Sequence, residues 1–440
     1  MRRLVVVAAA LAALALPAPA FAHATLDHTS PGFRQRLERT PTQVRLEFDQ
    51  GVKVFRNSIE VLDANGKLYS GAARSAGPAK QVVTAPVRRL PKGFYTVRWH
   101  AMSADGHVVA GVYTFGVRHA APPPTESYGA SGPTRTEHVV RWAYFVALAL
   151  LLGGLAFRLL IVRGPLPRRA ERRFYALTGI GAVGVLEVGI VAFLLRAEDA
   201  LQLPFGQLLY GDLSPIAGGT RFGTAFIAMT LGFALVSAFL YLAWLTERTI
   251  LLWPALLLGL GFASGLSLSG HSAADAGSSG LSELADWLHL SAATIWIGGL
   301  VQLSAVVWPT APELRRTAFL RFSRLATVLV AVLVAAGVYL SILRLPHVHD
   351  LWSEGYGRVL LVKLGLVCVA LAWGGLHKLV AVPAVERGDG RILARLPRSL
   401  AGESAVAMAV LLAAAVLVDS KPPPRPVSPA SAQPPAARVP

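Results

Sequence analysis

The chain has 440 residues, of which 54% are hydrophobic and 15% are charged, and its mean hydropathy is +0.51. This composition excludes an ordinary soluble protein and indicates a membrane protein with soluble parts. The formal net charge of +17 comes mostly from arginines in short loops between apolar runs, so nucleic-acid binding is not expected. The one cysteine, Cys368, lies in an apolar run, which excludes an intramolecular disulfide and a thiolate cluster for a soft metal.

Residues 1–22 have the pattern of a secretory signal peptide. Two arginines precede an apolar run from Leu4 to Leu16, and the small-residue pattern Ala20-Phe21-Ala22 follows. The run is shorter than the roughly 20 residues that a membrane-spanning helix requires. Cleavage after Ala22 would make His23 the first residue of the mature chain, with a free amine beside its imidazole.

Residues 23–120 alternate between apolar and polar side chains, which is typical of β-strands with one buried face. The clearest runs are Gln43–Phe48, Tyr95–His100 and Tyr113–Val117, and turn sequences such as Ala64-Asn65-Gly66 and Pro91-Lys92-Gly93 separate the strands. About a hundred residues of this kind predict a small β-sandwich or barrel with its own core. Residues 121–137 are rich in Pro, Gly and Ser and predict a stiff linker.

The remainder predicts an all-α polytopic membrane domain over residues 138–418. Eight apolar runs are long enough to span a bilayer, at about 139–162, 174–195, 221–245, 250–269, 286–308, 323–343, 359–381 and 399–418. The fold class is therefore mixed, with a β-sandwich followed by an eight-helix bundle. Residues 419–440 are rich in Pro and Ala and predict a disordered tail.

Basic residues predict the orientation of the bundle. If the β domain is outside, the inner loops contain thirteen arginines, whereas the outer loops contain only Arg196, Arg344 and Arg358. This asymmetry follows the positive-inside rule and agrees with the signal peptide. We therefore expect a multi-pass protein of the cytoplasmic membrane, with both termini and the β domain on the periplasmic or extracellular side.

The β domain contains candidate metal ligands. The amine and imidazole of His23, with Asp105 and His107 of the Ser103–His107 turn, form a nitrogen- and oxygen-rich set that suits Cu(II). Composition leaves zinc open, and an ordinary Asp-Gly hairpin turn with a surface histidine is the alternative. His28 and His100 are interpreted as surface residues. The chain has four methionines, so a methionine cluster for Cu(I) is not expected.

A second candidate site lies between the fourth and fifth apolar runs, where ionisable groups meet the predicted outer membrane surface. His271 and Asp275 are spaced i, i+4, and Asp286 and His289 are spaced i, i+3, so each pair would share a helix face. Buried imidazoles and carboxylates here predict metal binding, and the alternative is a polar interfacial loop. His347 and His349, on the next outer loop, are secondary candidates.

Four other ionisable residues fall within the predicted spans. Glu187 and Lys363 are expected to face the bundle interior or water, because a charge in lipid is costly. His377 and Glu403 lie toward the inner ends of the last two spans and could be exit groups for a transported ion. No role is assigned to any of the four.

Several motifs resemble known families. In the β domain they are His-Ala-Thr-Leu at residues 23–26, Leu46-Glu47-Phe48, Ile59-Glu60-Val61-Leu62-Asp63, Tyr95-Thr96-Val97-Arg98-Trp99 and Ser103-Ala104-Asp105-Gly106-His107, and they resemble the copper-binding CopC family. In the membrane domain they are Gly270-His271-Ser272-Ala273, Leu288-His289-Leu290, Trp296-Ile297-Gly298-Gly299-Leu300, Phe322-Ser323-Arg324-Leu325-Ala326, and Tyr356-Gly357-Arg358 followed by Lys363, and they resemble the CopD family.

The resemblance implies an Ig-like sandwich that binds Cu(II) through the His23 amine and imidazole, Asp105 and His107. It also implies a helical membrane domain involved in copper uptake. One position departs from the pattern, because CopC proteins often have a glutamate near the site where this chain has Gln50, preceded by Asp49.

The leading hypothesis is copper binding outside the membrane and copper transport, in the direction of import, for copper homeostasis or resistance. The protein is then not an enzyme, and a periplasmic copper donor or reductase is a possible partner besides the lipid membrane. No P-loop sequence is present, so transport would be passive or coupled to another gradient. The alternatives are a haem-binding or electron-transfer membrane protein, and an oxidative enzyme with a copper brace at His23.

Overall fold

A computed structural model describes residues 24, 26–77, 80–103, 108–122, 135–201, 221–269, 279–345 and 347–420 of the chain. Eight strands come first within these ranges, and eight long apolar helices follow. The predicted β-sandwich followed by an eight-helix membrane bundle is therefore confirmed.

The β domain consists of two four-stranded sheets packed face to face. One sheet has the strand order β1-β3-β6-β5 and the other the order β2-β8-β7-β4. The strands are β1 Leu26–Ser30, β2 Arg36–Leu37, β3 Gln43–Phe48, β4 Ile59–Leu62, β5 Arg74–Ala76, β6 Val82–Pro86, β7 Gly93–Met102 and β8 Val108–Val117. The period-two pattern in the sequence explains the core, since alternate residues of β3 and β7 are buried between the sheets.

The membrane domain contains eight helices that are long and apolar enough to cross a bilayer. They are α1 Arg135–Ile161, α2 Arg168–Leu195, α3 Gly223–Thr246, α4 Thr249–Ser267, α5 Gly280–Thr310, α6 Pro312–Arg344, α7 Gly355–Glu386 and α8 Gly390–Asp419. A short helix, Asp350–Ser353, connects α6 to α7. Several helices begin earlier than the apolar runs, because charged first turns such as Arg315–Arg321 of α6 are helical as well.

Helices α1 and α5 form the centre of the bundle. In their most apolar windows 72% and 67% of the residues are buried, against 33% or less in the other six helices. Their contact depends on small residues, since a Cβ atom on Gly298 of α5 would overlap the backbone of Ala149 in α1. Close backbone approach through glycine is a common way to pack helices in lipid, where burial from water gives no driving force.

Arginines bind backbone carbonyls at the end of the bundle where α1, α5 and α7 finish. Arg321 donates to the carbonyl of Ile161 at 3.0 Å, Arg315 Nε to Trp308 at 2.8 Å, and Arg316 Nε to Val385 at 3.2 Å. The last carbonyls of a helix have no partner within the helix and carry partial negative charge. The arginines of the α6 first turns therefore stabilise three helix C-termini at once.

Candidate functional site

The tip of the β-sandwich is the region around the predicted soluble-domain ligands. His23, Asp105 and His107 themselves lie outside the described residues. Strands β7 and β8 pair from Gly93 with Val117 to Met102 with Val108, so residues 103–107 connect the two strands of a hairpin. The described residues on each side of these positions therefore define the surroundings of the candidate site.

Backbone pairing brings the start of β1 and the end of β7 to the same end of the sandwich. Leu26 pairs with Phe48 at the end of β3. A few residues later Lys53 and Met102 exchange two backbone hydrogen bonds, of 2.8 and 3.0 Å. Residues 48–53 therefore connect two places. One is the strand that begins shortly after His23, and the other is the end of the strand that leads to Asp105.

Aromatic packing stiffens the sandwich beneath this tip. The rings of Phe48 and Trp99 meet edge to face across the two sheets, with centroids 5.6 Å apart. Gly111 lies opposite Trp99, and a Cβ atom there would be 2.7 Å from the indole ring. A packed core therefore supports the described residues beside the tip.

The prediction that His100 is a surface residue is wrong. His100 is 1% exposed, and its ring stacks on Phe55 with centroids 6.2 Å apart. Both faces of β7 are buried near its end. Phe55, from the segment before β4, covers the face that carries His100. Burial lowers the pKa of His100 to about 4. His28, in contrast, is exposed as expected.

His289 lies on α5, nine residues after its start, and its ring rests against α6. Its Nδ1 atom is 3.1 Å from the carbonyl oxygen of Leu333, which can only accept a hydrogen bond. Nδ1 therefore carries the proton in the neutral ring, and Nε2 is left with the lone pair that binds metals. Gly337 makes room for the ring, since a Cβ atom there would be 3.2 Å from His289 Cε1.

Three charged residues surround His289. Asp286, one turn earlier on α5, is 3.8 Å from the Arg344 guanidinium of α6. Arg344 and Lys363 of α7 are both near enough to interact electrostatically with His289 and with each other. Asp286 is thus an ion-pair partner in this arrangement, and the described part of the site contains two cations and one carboxylate. A metal cation would need further anionic or neutral ligands here.

The other candidates near α5 and α6 are less well placed. His271 and Asp275 lie outside the described residues. His347 and His349 are exposed on the loop after α6, where Nδ1 of His347 is 3.6 Å from Asp350 and His349 packs edge to face against Trp352. Among the described residues, no group of three or more His, Cys, Asp or Glu side chains is arranged to hold a metal ion.

Of the two surroundings expected for Glu187, the bundle interior or water, the structure excludes the bundle interior. Glu187 lies on an exposed stripe of α2 with Ile180, Val183 and Ile190, whereas Ala182 and Val185 are the buried positions. The uniformly apolar sequence of α2 gave no periodic signal for its buried face. Lys363 is half-buried beside the His289 region, in agreement with the expectation for that residue.

His377 and Glu403 contact each other between α7 and α8. His377 Nδ1 is 2.9 Å from Glu403 Oε2, and His377 Nε2 is 2.7 Å from Ser399 Oγ. Sequence reasoning found the two ionisable groups but not their contact, and it missed Ser399. The spacing of Ser399 and Glu403, i and i+4 on one helix face, was the available signal.

Comparison with known proteins identifies both parts of the chain. Residues 26–118 match the CopC domain family, residues 136–281 the N-terminal domain of copper resistance protein D-like proteins, and residues 316–417 the copper resistance protein D family. The copper transport protein CutJ of Bacillus subtilis (strain 168) is 29% identical over 93% of this chain and 76% of its own length.

Two further relatives cover the parts separately. Copper resistance protein D of Pseudomonas syringae pv. tomato is 32% identical over 63% of this chain and 92% of its own length. The crystal structure of CopC from Methylosinus trichosporium OB3b is 29% identical over 24% of this chain and all of that structure, with a TM-score of 0.20. The chain therefore belongs to the CopD family of copper resistance and copper transport proteins, with a CopC domain preceding its membrane helices.

Proposed function

We propose that this protein captures Cu(II) outside the cytoplasmic membrane with its CopC domain and imports copper through the eight-helix domain. The two relatives with membrane domains are named for copper transport and copper resistance. The soluble site would consist of the His23 amine and imidazole, Asp105 and His107. The pairing of Leu26 with Phe48 and of Lys53 with Met102 supports it, because these contacts bring the neighbours of the proposed ligands to one end of the sandwich.

The observation that carries the proposal for the membrane domain is the orientation of His289. Its Nδ1–H donates to the Leu333 carbonyl, so Nε2 is the nitrogen available to a metal. Arg344 already pairs with Asp286, and Lys363 adds a second positive charge. His271 and Asp275, from the segment between α4 and α5, would supply the additional ligands that a copper ion needs beside these cations.

The linker predicted at residues 121–137, whose last three residues begin α1, would keep the CopC domain near the membrane entrance. A tether turns the second binding step into an intramolecular one, with an effective copper-donor concentration of roughly millimolar. In this scheme the protein moves an ion without making or breaking a covalent bond, so it is not an enzyme. A periplasmic donor or reductase could deliver or reduce the copper.

Total copper in cells that express the intact chain tests the proposal. We expect expression to raise cellular copper, and we expect His289→Ala and His271→Ala, at matched abundance, to abolish the rise. Gly337→Ala should reduce it partly, because the added methyl group pushes the His289 ring from its place on α6. Gly261→Ala on α4 is the matched control, since a Cβ atom there meets nothing within 4 Å.

A fall in cellular copper on expression would instead indicate export, and no change would exclude transport by this chain alone. The haem-binding alternative predicts a Soret band in the purified protein, which the copper proposal does not.

A further inference from the structure

A chain of four polar side chains joins α7 to α8 in the half of the bundle near the arginine-rich end, with Glu403 buried and the other three half-buried. Trp373 Nε1 donates to Ser399 Oγ at 2.9 Å, Ser399 Oγ is 2.7 Å from His377 Nε2, and His377 Nδ1 is 2.9 Å from Glu403 Oε2. Glu403 is 4% exposed. We call these four residues the polar chain. They lie on different helices from His289, and the proposed copper sites do not use them.

Hydrogen-bond directions in the polar chain are largely determined by chemistry. The Trp373 indole can only donate, so Ser399 Oγ accepts from it, and an ionised Glu403 can only accept from His377 Nδ1–H. The remaining bond, between Ser399 and His377, can run in either direction. A neutral His377 ring accepts the Ser399 hydroxyl proton at Nε2, and a protonated ring donates from Nε2 to the Ser399 oxygen.

His377 can therefore bind or lose one proton while both ring nitrogens stay hydrogen-bonded. The change requires only a rotation of the Ser399 hydroxyl. With the proton, the His377–Glu403 pair is neutral; without it, the pair carries one negative charge in the low-dielectric bundle interior. Because the dielectric constant of the bundle interior is low, this negative charge strongly stabilises a cation that passes near the pair.

Both helices depart from regular geometry at the polar chain. A π-helical turn of α7 begins at His377, and Pro397 interrupts the hydrogen bonding of α8 two residues before Ser399. Gly402 lets α8 approach the Trp373 ring, since a Cβ atom there would be 2.7 Å from the indole. Single π turns inside long helices are often found at functional sites.

Glu403 is the charged group that contacts His377 directly. Phe319 from α6 covers its ring edge to face at 6.1 Å. The next residue, Lys378, is exposed, and Arg316 of α6 is bound to the carbonyls of Val385 and Glu386. Among the described residues, the ion pair of Glu403 is the one with His377.

We propose that His377 and Glu403 form a proton-binding site in the inner half of the membrane domain, and that copper passage requires this site to release its proton. The second part rests on the proposed function. As a copper cation enters the inner half, the proton leaves His377 for water on the inner side, and the Ser399 hydroxyl turns to donate to Nε2. The pair is then negative and stabilises the cation by charge alone, without a metal bond. The proton returns from inner water once the copper has left.

Two measurements on the full-length protein in liposomes test the proposal. Infrared difference spectra between alkaline and acidic buffer, without copper, should contain bands from the ionisation of this pair. His377→Gln and Glu403→Gln should remove those bands. Initial rates of copper entry should fall as the inner compartment is acidified, by up to about tenfold per pH unit, and the two variants should lose this dependence.

His138→Gln is the matched control. His138 forms a similar pair, 2.7 Å from Asp419, at the opposite end of the bundle, where Arg141 also binds Asp419. It should keep both the infrared bands and the dependence on inner pH. Wild-type spectra without such bands, or wild-type copper entry that does not respond to inner pH, would overturn the proposal whether or not the variants fold. Bands that titrate without any copper entry would support the proton site and overturn the proposed function.

Discussion

Hydrogen-bond partners distinguish the histidines of this chain from one another. His289 Nδ1 is hydrogen-bonded to a backbone carbonyl, whereas each ring nitrogen of His377 contacts a different side chain. His100 is buried in the sandwich. In the sequence, all three are single histidines in mostly apolar segments. The atoms within 3 Å or so of each ring nitrogen decide whether it can bind a metal, exchange a proton or only fill space.

The proposed Cu(II) site requires that His23 be the first residue of the mature chain. One extra residue ahead of His23 would turn the terminal amine into an amide, which is a poor ligand for Cu(II). Binding should then weaken by roughly tenfold or more, with altered nitrogen couplings. Electron paramagnetic resonance and a copper titration of the two forms would detect the change, and identical spectra would contradict the His23 assignment.

His100 should make the CopC domain less stable in mild acid. Its pKa is about 4 in the folded domain because of burial, and the ordinary value of 6.5 applies in the unfolded chain. The unfolded state therefore binds more protons as the pH falls below 6.5, so stability decreases until it levels off near pH 4. The loss is on the order of 3 kcal/mol.

Urea unfolding of residues 23–122, followed through the fluorescence of Trp99, would measure this loss. Trp99 is the one tryptophan in that segment. His100→Gln should lower stability at neutral pH but flatten its dependence on pH between these limits, and His28→Gln, at an exposed position, should leave the dependence unchanged. Equal slopes for wild type and His100→Gln would contradict the prediction.

At the scale of elements, α1 and α5 depend on backbone contact through glycine. Gly298 of α5 faces Gly153 and the Ala149 carbonyl of α1 without room for a methyl group. Gln302 of α5 is fully buried one turn farther on and donates to Thr178 of α2 at 3.2 Å. The centre of the bundle is thus held by a close helix contact and one buried polar link.

Gly298→Ala should separate α1 from α5 and destabilise the whole membrane domain. Overpacking of this kind costs about 1–3 kcal/mol, and here the backbone of a second helix must move as well. Thermal unfolding of the purified protein in detergent would show a lower midpoint. Gly365→Ala on α7 is the control, because its Cβ meets nothing within 4 Å and alanine favours the helix slightly. Equal midpoints for the two variants would contradict the role of this contact.

At the scale of the whole molecule, the arginines that predict the orientation also cap the helices. Arg315, Arg316 and Arg321 are among the thirteen basic residues counted for the inner side, and they bind the final carbonyls of α5, α7 and α1. The same residues therefore bias insertion and stabilise the folded bundle at one end. This supports an orientation with the CopC domain outside, which stays a prediction.

Thiol labelling would test that orientation. Cys368 is exposed on α7 and must first be replaced, for instance by Cys368→Ala. In that background, a membrane-impermeant thiol reagent should label Ser353→Cys, between α6 and α7, while the cytoplasmic membrane is still intact. Any outer membrane or cell wall is first made permeable to the reagent. It should label Glu313→Cys, in the first turn of α6, only after the cytoplasmic membrane is permeabilised. The reverse pattern would place the CopC domain inside.

The sequence by itself determined the two-part architecture, the strand faces and the eight helices. These depend on hydrophobic periodicity and run length, which are local properties of the chain. Motifs in the sequence also pointed to copper and to His289. The buried location of His100 and the exposed location of Glu187 did not follow from local pattern, because each depends on which element covers a given face.

Only the tertiary structure decided how ionisable groups meet. In the folded bundle, Asp286 pairs with Arg344 and His377 contacts Glu403. His289 binds the Leu333 carbonyl, and Gly337 leaves space for its ring. Side-chain contacts between helices depend on the rotation and depth of each helix. In spans that are apolar on every side, the sequence carries little information about either quantity.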